Sequence, residues 1–101
     1  MDIFYSDQAK KQLFSIKKFI AKDSTKNANS YLLRIKTKIE ILKEYPYLGK
    51  INPVADINNI RDFIIDGYKV IYKVTSDSIT VLAIYKYIDF DESIIREIAD
   101  E

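Results

Sequence analysis

Ile60-Arg61-Asp62-Phe63-Ile64-Ile65-Asp66-Gly67-Tyr68-Lys69-Val70-Ile71-Tyr72-Lys73-Val74 reads as two strands joined at Asp66-Gly67. Apolar and β-branched runs on either side of an Asp-Gly pair predict a hairpin, because a two-residue turn needs positive φ and these residues tolerate it. Downstream, Ser76-Asp77-Ser78 turns the chain into Ile79 to Tyr87, a long run that is nearly all apolar before Tyr85. Such a run suits a strand covered on at least one face. Upstream, residues 50–59 read as loop, and Pro46 with Leu48-Gly49 forms a break.

Before the break the period changes from two to 3.6. Ala9, Leu13, Ile16 and Ile20 form one apolar stripe, predicting a helix over roughly 7–22. Ala28, Leu32, Ile35, Ile39 and Leu42 form a second stripe, predicting a helix over roughly 25–45 that Pro46 stops. Ser6 or Asp7 can cap the first helix, and Asp23-Ser24-Thr25 offers a cap for the second. The short connection makes the helices antiparallel neighbours. Ile3-Phe4-Tyr5 reads as a short strand whose partner the sequence leaves open. Ile94, Ile95 and Ile98, behind Asp91, Glu92 and Ser93, predict a short C-terminal helix. The expectation is a single α+β domain over 1–101. It has an N-terminal strand, an antiparallel helical hairpin packed on an antiparallel sheet, and the short final helix. Leu13, Ile16, Leu32, Ile35, Ile39, Val70, Tyr72, Val81 and Ala83 are its expected core.

Composition narrows the chemistry. The chain has 101 residues, 48% of them hydrophobic, with eight Tyr and five Phe, which supports one packed core. It has neither Cys nor His. Disulfides, thiolate metal sites, a Cys nucleophile and a Ser-His-Asp triad are therefore excluded. No cofactor or metal is expected: Asp89, Asp91 and Glu92 read as caps, and residues 56–59 lack the ligands of a calcium loop. No apolar run approaches a membrane span and no leader is visible, so a soluble cytoplasmic protein with no membrane partner is expected. The net charge of +1 hides an asymmetry. Residues 1–50 carry eleven Lys/Arg against five Asp/Glu, and residues 51–101 carry five against ten. A basic helical half either attracts a polyanion or an acidic partner, or simply solvates outer helix faces.

A metal-free nuclease would need groups that hold a phosphate and move protons. Arg61, Lys69, Lys73, Lys86 and tyrosines 68, 72, 85 and 87 are the candidates. Alternation places Lys69, Ile71 and Lys73 on one face of their strand and Tyr68, Val70, Tyr72 and Val74 on the other. The second set reads as the core face, so Tyr72 reads as a core tyrosine. Lys69 and Lys73 are left on the open face, with Arg61 next door as a possible third cation. Tyr85 and Tyr87 share a face and could stack on bases or simply pack.

The order strand, helical hairpin, Tyr45-Pro46-Tyr47-Leu48-Gly49-Lys50 break, Asn59-Ile60-Arg61 strand and Gly67-Tyr68-Lys69-Val70-Ile71-Tyr72-Lys73-Val74 strand resembles the ParE/RelE superfamily of bacterial toxins. The resemblance covers about residues 3 to 98. It implies the toxin of a type II toxin–antitoxin pair, neutralised by a cognate antitoxin protein. RelE-like members cut mRNA on the ribosome, and ParE-like members poison DNA gyrase without a recognised catalytic site. In the nuclease case the resemblance puts catalysis at Arg61, Lys69 and Tyr87. Lys69 stands where those nucleases usually carry Arg, and Tyr87 about where some carry His. Lysine cannot form the bidentate fork that arginine makes with phosphate. The long hairpin and the acidic short helix expected after Tyr87 look more like ParE, and the near-neutral charge fits poorly with entry into an RNA-rich site. A binder of gyrase is therefore the favoured expectation. The ribosome-dependent nuclease is the first alternative, and a drifted homologue that only binds antitoxin the second.

Overall fold

A computed structural model describes residues 1–86. The chain runs β1 (Asp2–Tyr5), α1 (Asp7–Ala21), α2 (Thr25–Glu40), a 3-10 turn at Ile41–Lys43, β2 (Lys50–Ile51), β3 (Ile60–Ile65), β4 (Tyr68–Val74) and β5 (Ser78–Lys86). The strands form one sheet in the order β1-β5-β4-β3-β2. The β3–β4–β5 meander is antiparallel, as the sequence predicts. The first strand joins β5 in parallel, Ile3 beside Ile79, so the sheet is mixed. The C-terminal helix, Tyr85's expected neighbour Tyr87 and the acidic cluster at 89–92 lie outside the described residues.

Local chemistry explains the elements. Ser6 Oγ accepts the Ala9 N–H at 3.0 Å and Ser24 Oγ accepts the Asn27 N–H at 3.1 Å, so Ser6 rather than Asp7, and Ser24 within Asp23-Ser24-Thr25, form the caps. Residues Lys22 to Ser24 connect the helices. The second helix ends at Glu40, earlier than the apolar stripe predicts, and its final turn tightens to 3-10 geometry with Leu42 still buried. At the hairpin, Asp66 has φ +49° and Gly67 φ +84°, the sign pattern of a type I′ turn. The second helix holds this turn: Arg34 pairs with Asp66 at 2.9 Å, Lys38 lies 3.5 Å from it, and the Tyr31 hydroxyl donates to its carbonyl at 2.9 Å.

The main core lies between the helices and one face of the sheet. It contains Leu13, Ile16, Ile35, Ile39, Val70, Tyr72 and Val81, all on the expected list. Leu32 packs against it while remaining half-buried. Ala83 is a correction. It belongs to a second cluster, with Ala55, Ile60, Ile71, Leu82 and Tyr85, on the face away from the helices. The cause is a shift in register: Ile71 faces Ala83, but Tyr72 faces Val81. Leu82 is the extra residue of a β-bulge, and everything after it changes face. Ile84 therefore takes the helix-facing place that Ala83 would have had.

Beyond Tyr5 the first strand no longer covers β5, and side chains around α1 take over its exposed backbone. Ser6 Oγ donates to the Leu82 carbonyl at 2.9 Å, and Gln12 Oε1 accepts the Ile84 N–H at 2.6 Å. These contacts satisfy backbone groups that an unprotected edge would leave open.

Burial ranks two truncations. Ile35 is fully buried and Leu32 is not. Ile35→Ala should lower stability by about 2–5 kcal/mol, and Leu32→Ala by clearly less. Urea midpoints of equal size for the two variants would contradict this packing.

Candidate functional site

The two described residues proposed for catalysis, Arg61 and Lys69, do not converge. Arg61 stands directly opposite Tyr72 in the β3–β4 ladder, and directly opposed residues share a face. Tyr72 faces the helices, so Arg61 does too. Lys69 stands opposite Ile64, and its Nζ lies 3.7 Å from Asp62, which faces Ile71 on the other side of the sheet. Arg61 is therefore not a third cation beside Lys69 and Lys73. Tyr87 lies outside the described residues.

Each of the two described cations is held by internal groups. The Arg61 guanidinium donates to the Gly49 carbonyl at 3.0 Å, the Asn58 carbonyl at 2.8 Å and Asn58 Oδ1 at 2.6 Å. It also lies 4.9 Å from the Tyr47 ring centroid. Arginine suits this place because its planar fork can serve two loops at once. Gly49 is held from its other side as well, since its N–H donates to the Tyr72 hydroxyl at 2.9 Å. A Cβ on Gly49 would collide with the Asp62 carbonyl oxygen and come within 2.9 Å of the Tyr72 hydroxyl. Glycine is required here by close approach, and the Pro46-to-Gly49 break is thereby fixed to the sheet.

On the opposite face a polar chain runs inward from Lys69. The Lys69 side chain is only 12% exposed and Asp62 is fully enclosed. Asp62 Oδ1 accepts from Asn52 Nδ2 at 2.7 Å, and Asn52 Oδ1 accepts the N–H groups of Val54 and Ala55 at 3.0 and 2.9 Å. Asn52 is itself fully buried. The ammonium thus compensates a buried carboxylate that orders the β2–β3 loop. Removing one partner of such a pair leaves the other charge uncompensated.

This arrangement was partly readable. A two-residue turn at Asp66-Gly67 fixes the register Ile65 to Tyr68, and counting back puts Arg61 against Tyr72. The polar chain from Lys69 to Asn52 gives no comparable signal, because Asn52 lies in the loop, where no period applies. Among the described residues no group of acidic side chains is placed to hold a metal ion. No helix among them is long and apolar enough to cross a membrane.

The ParE toxin family of the parDE type II toxin–antitoxin systems matches residues 3–86, every element from β1 to β5. The chain belongs to that family. A solved structure of the chromosomal ParDE toxin–antitoxin system from P. aeruginosa has the same fold, with a TM-score of 0.69 and 16% identity, over 84% of this chain and 94% of that one. No curated protein matches in sequence. In this ParE toxin the Pro46-to-Gly49 break and the β3 strand meet at Gly49, where Arg61 and Tyr72 grip one peptide from two sides.

Tyrosine burial gives this toxin an alkaline limit. Burial, reinforced by Glu40, pushes the Tyr5 hydroxyl up to about 12. Burial also raises Tyr68 and Tyr72, the latter against the opposing pull of the Gly49 hydrogen bond and Arg61. The unfolded chain releases these protons near pH 10, so it binds fewer protons than the folded chain above that. The Tyr5 part of this stabilisation is intact below about pH 10 and lost as pH rises through about 12. Chemical denaturation across that window should show a falling midpoint, with a shallower fall in Tyr5→Phe. The same slope in both proteins would remove Tyr5 from the account.

A second test addresses the clamp. Gly49→Ala should cost about 2 kcal/mol or more, because the colliding atom is backbone. Tyr72→Phe should cost about 1–3 kcal/mol by orphaning the buried Gly49 N–H. A thermal melt of either variant that overlays the parent would contradict the clamp.

Proposed function

We propose that this toxin arrests growth by binding its target rather than by catalysis, that DNA gyrase is that target, and that a cognate antitoxin protein neutralises it. One observation carries the choice of binder over nuclease. Arg61 and Lys69 lie on opposite faces of the sheet, each committed to internal structure. A phosphoryl-transfer site needs its cations and proton carriers around one reacting group, held in place before reaction. These two cannot reach a common phosphate without giving up Gly49 or Asp62. The gyrase target and the antitoxin come from the family; the geometry supports only the mode of action.

The test uses a variant that removes both charges of the buried pair while keeping their bulk, Asp62→Asn with Lys69→Met. Induced expression of this variant should still arrest growth. The purified protein should inhibit gyrase supercoiling within about threefold of the parent, since most residues outside a hot spot contribute under about 1 kcal/mol to binding. Co-expression with the product of the neighbouring reading frame should yield a stable complex and restore growth. Rapid mRNA decay in translating extracts that disappears in the folded double variant would instead establish the ribosome-dependent nuclease.

A further inference from the structure

The solvent side of α1 has an unusual composition. Phe14 and Phe19 are 62% and 59% exposed, and each lies under an ammonium group. Lys18 Nζ is 5.5 Å from the Phe14 ring centroid, and Lys22 Nζ is 6.0 Å from that of Phe19. Lys86, at the end of β5, stands 5.3 Å from Phe19 and 5.9 Å from Tyr68. Among the described residues no carboxylate pairs with Lys18, Lys22 or Lys86. Two of the four basic groups of α2 differ, since Arg34 and Lys38 are engaged with Asp66. Between Phe19, Lys86 and the floor formed by Ile16 and Tyr68 lies an open recess of about 260 Å³, with Ser15 at its rim.

Two phenylalanines in the wet row of a lysine-rich helix do nothing for solvation. Exposed apolar surface rimmed by charge is the usual form of an interaction site. The recess falls below the ~300–1,000 Å³ range of small-molecule pockets, a size that suits one side chain. Its lining is apolar and its rim carries lysine ammonium groups, so it takes an apolar anchor flanked by anionic groups.

We propose that this α1–β5 surface is a docking site for an acidic protein segment of a partner. One aromatic or large aliphatic side chain enters the recess between Phe19 and Tyr68, and flanking carboxylates meet Lys86, Lys22 and Lys18. The inference deepens the reading of the chain as a binder and rests on it for the partner being a protein. Lysine-to-carboxylate attraction steers the encounter and makes it salt-dependent, and the buried anchor supplies specificity.

The test is fluorescence anisotropy of the full chain with a labelled twelve-residue peptide carrying one Phe among Glu and Asp. A second peptide has Ser in place of Phe, and a single-stranded RNA has the same charge. The Phe peptide should bind at least tenfold tighter than the Ser peptide and the RNA. Phe19→Ala and Lys86→Glu should each weaken it about tenfold or more. Lys10→Glu, elsewhere on the helix, should change it less than threefold, with melts confirming that all variants fold. Equal binding of both peptides, or no effect of Phe19→Ala, would reduce the surface to diffuse charge and overturn the proposal. Tighter RNA binding would overturn it in favour of a nucleic-acid surface. The chain's own residues 87–101 carry six Asp/Glu and one Arg. If Phe90→Ser with Asp91→Ser tightened peptide binding tenfold, that segment would be the occupant and the partner proposal would fall. The probe requires neither toxicity nor gyrase, so its failure is distinguishable from failure of the proposed activity.

Discussion

Gly49 is the point at which the two layers of this protein are joined. Its N–H is taken by Tyr72 and its carbonyl by Arg61, neighbours across the β3–β4 ladder. Its missing Cβ lets the strand backbone at Asp62 approach. Helix α2 must end before this point, and β2 must start immediately after it, at Lys50. The helical hairpin is thus held to the sheet at two distant places. At this end the Gly49 peptide is clamped, and at the other Asp66 is gripped by Arg34, Lys38 and Tyr31. Between them the apolar stripes need only fill the gap. A clamp made of directional bonds fixes the angle of packing, which hydrophobic burial alone does not.

Local chemistry made most of the architecture legible. The Asp66-Gly67 turn, the two serine caps and the two stripes each depend on residues a few positions apart, and each formed as expected. What escaped prediction depends on distant partners. The parallel pairing of β1 with β5 joins residues some 76 positions apart, such as Asp2 and Ser78. The bulge at Leu82 cannot be seen in a run where nearly every residue is apolar, because alternation carries no information there, and so Ala83 was assigned to the wrong face. The two-residue β2 is too short to show a period.

The candidate site shows the same division more sharply. The sequence of β3 offers apolar residues on both faces: Ile60 and Ile64 on one, Phe63 and Ile65 on the other. Arg61 and Asp62 could thus face either way by pattern alone. The register from the turn resolves it, and with it the role of each residue. Arg61 turns to the helix side and binds backbone, while Asp62 turns to the other side and draws Lys69 inward. Side chains that look like a cationic cluster in one dimension are separated by the thickness of the sheet in three.

The same accounting directs attention to where charge remains available. Arg34, Lys38, Arg61 and Lys69 all have structural partners. The lysines of α1 have no carboxylate among the described residues, and the helix has no acid between Gln8 and Lys22. The chain has neither His nor Cys, the two side chains that titrate nearest neutral pH. Binding through surface shape and charge requires neither residue. On the docking proposal such a contact forms at α1 and the end of β5, where exposed aromatic rings and lysines coincide.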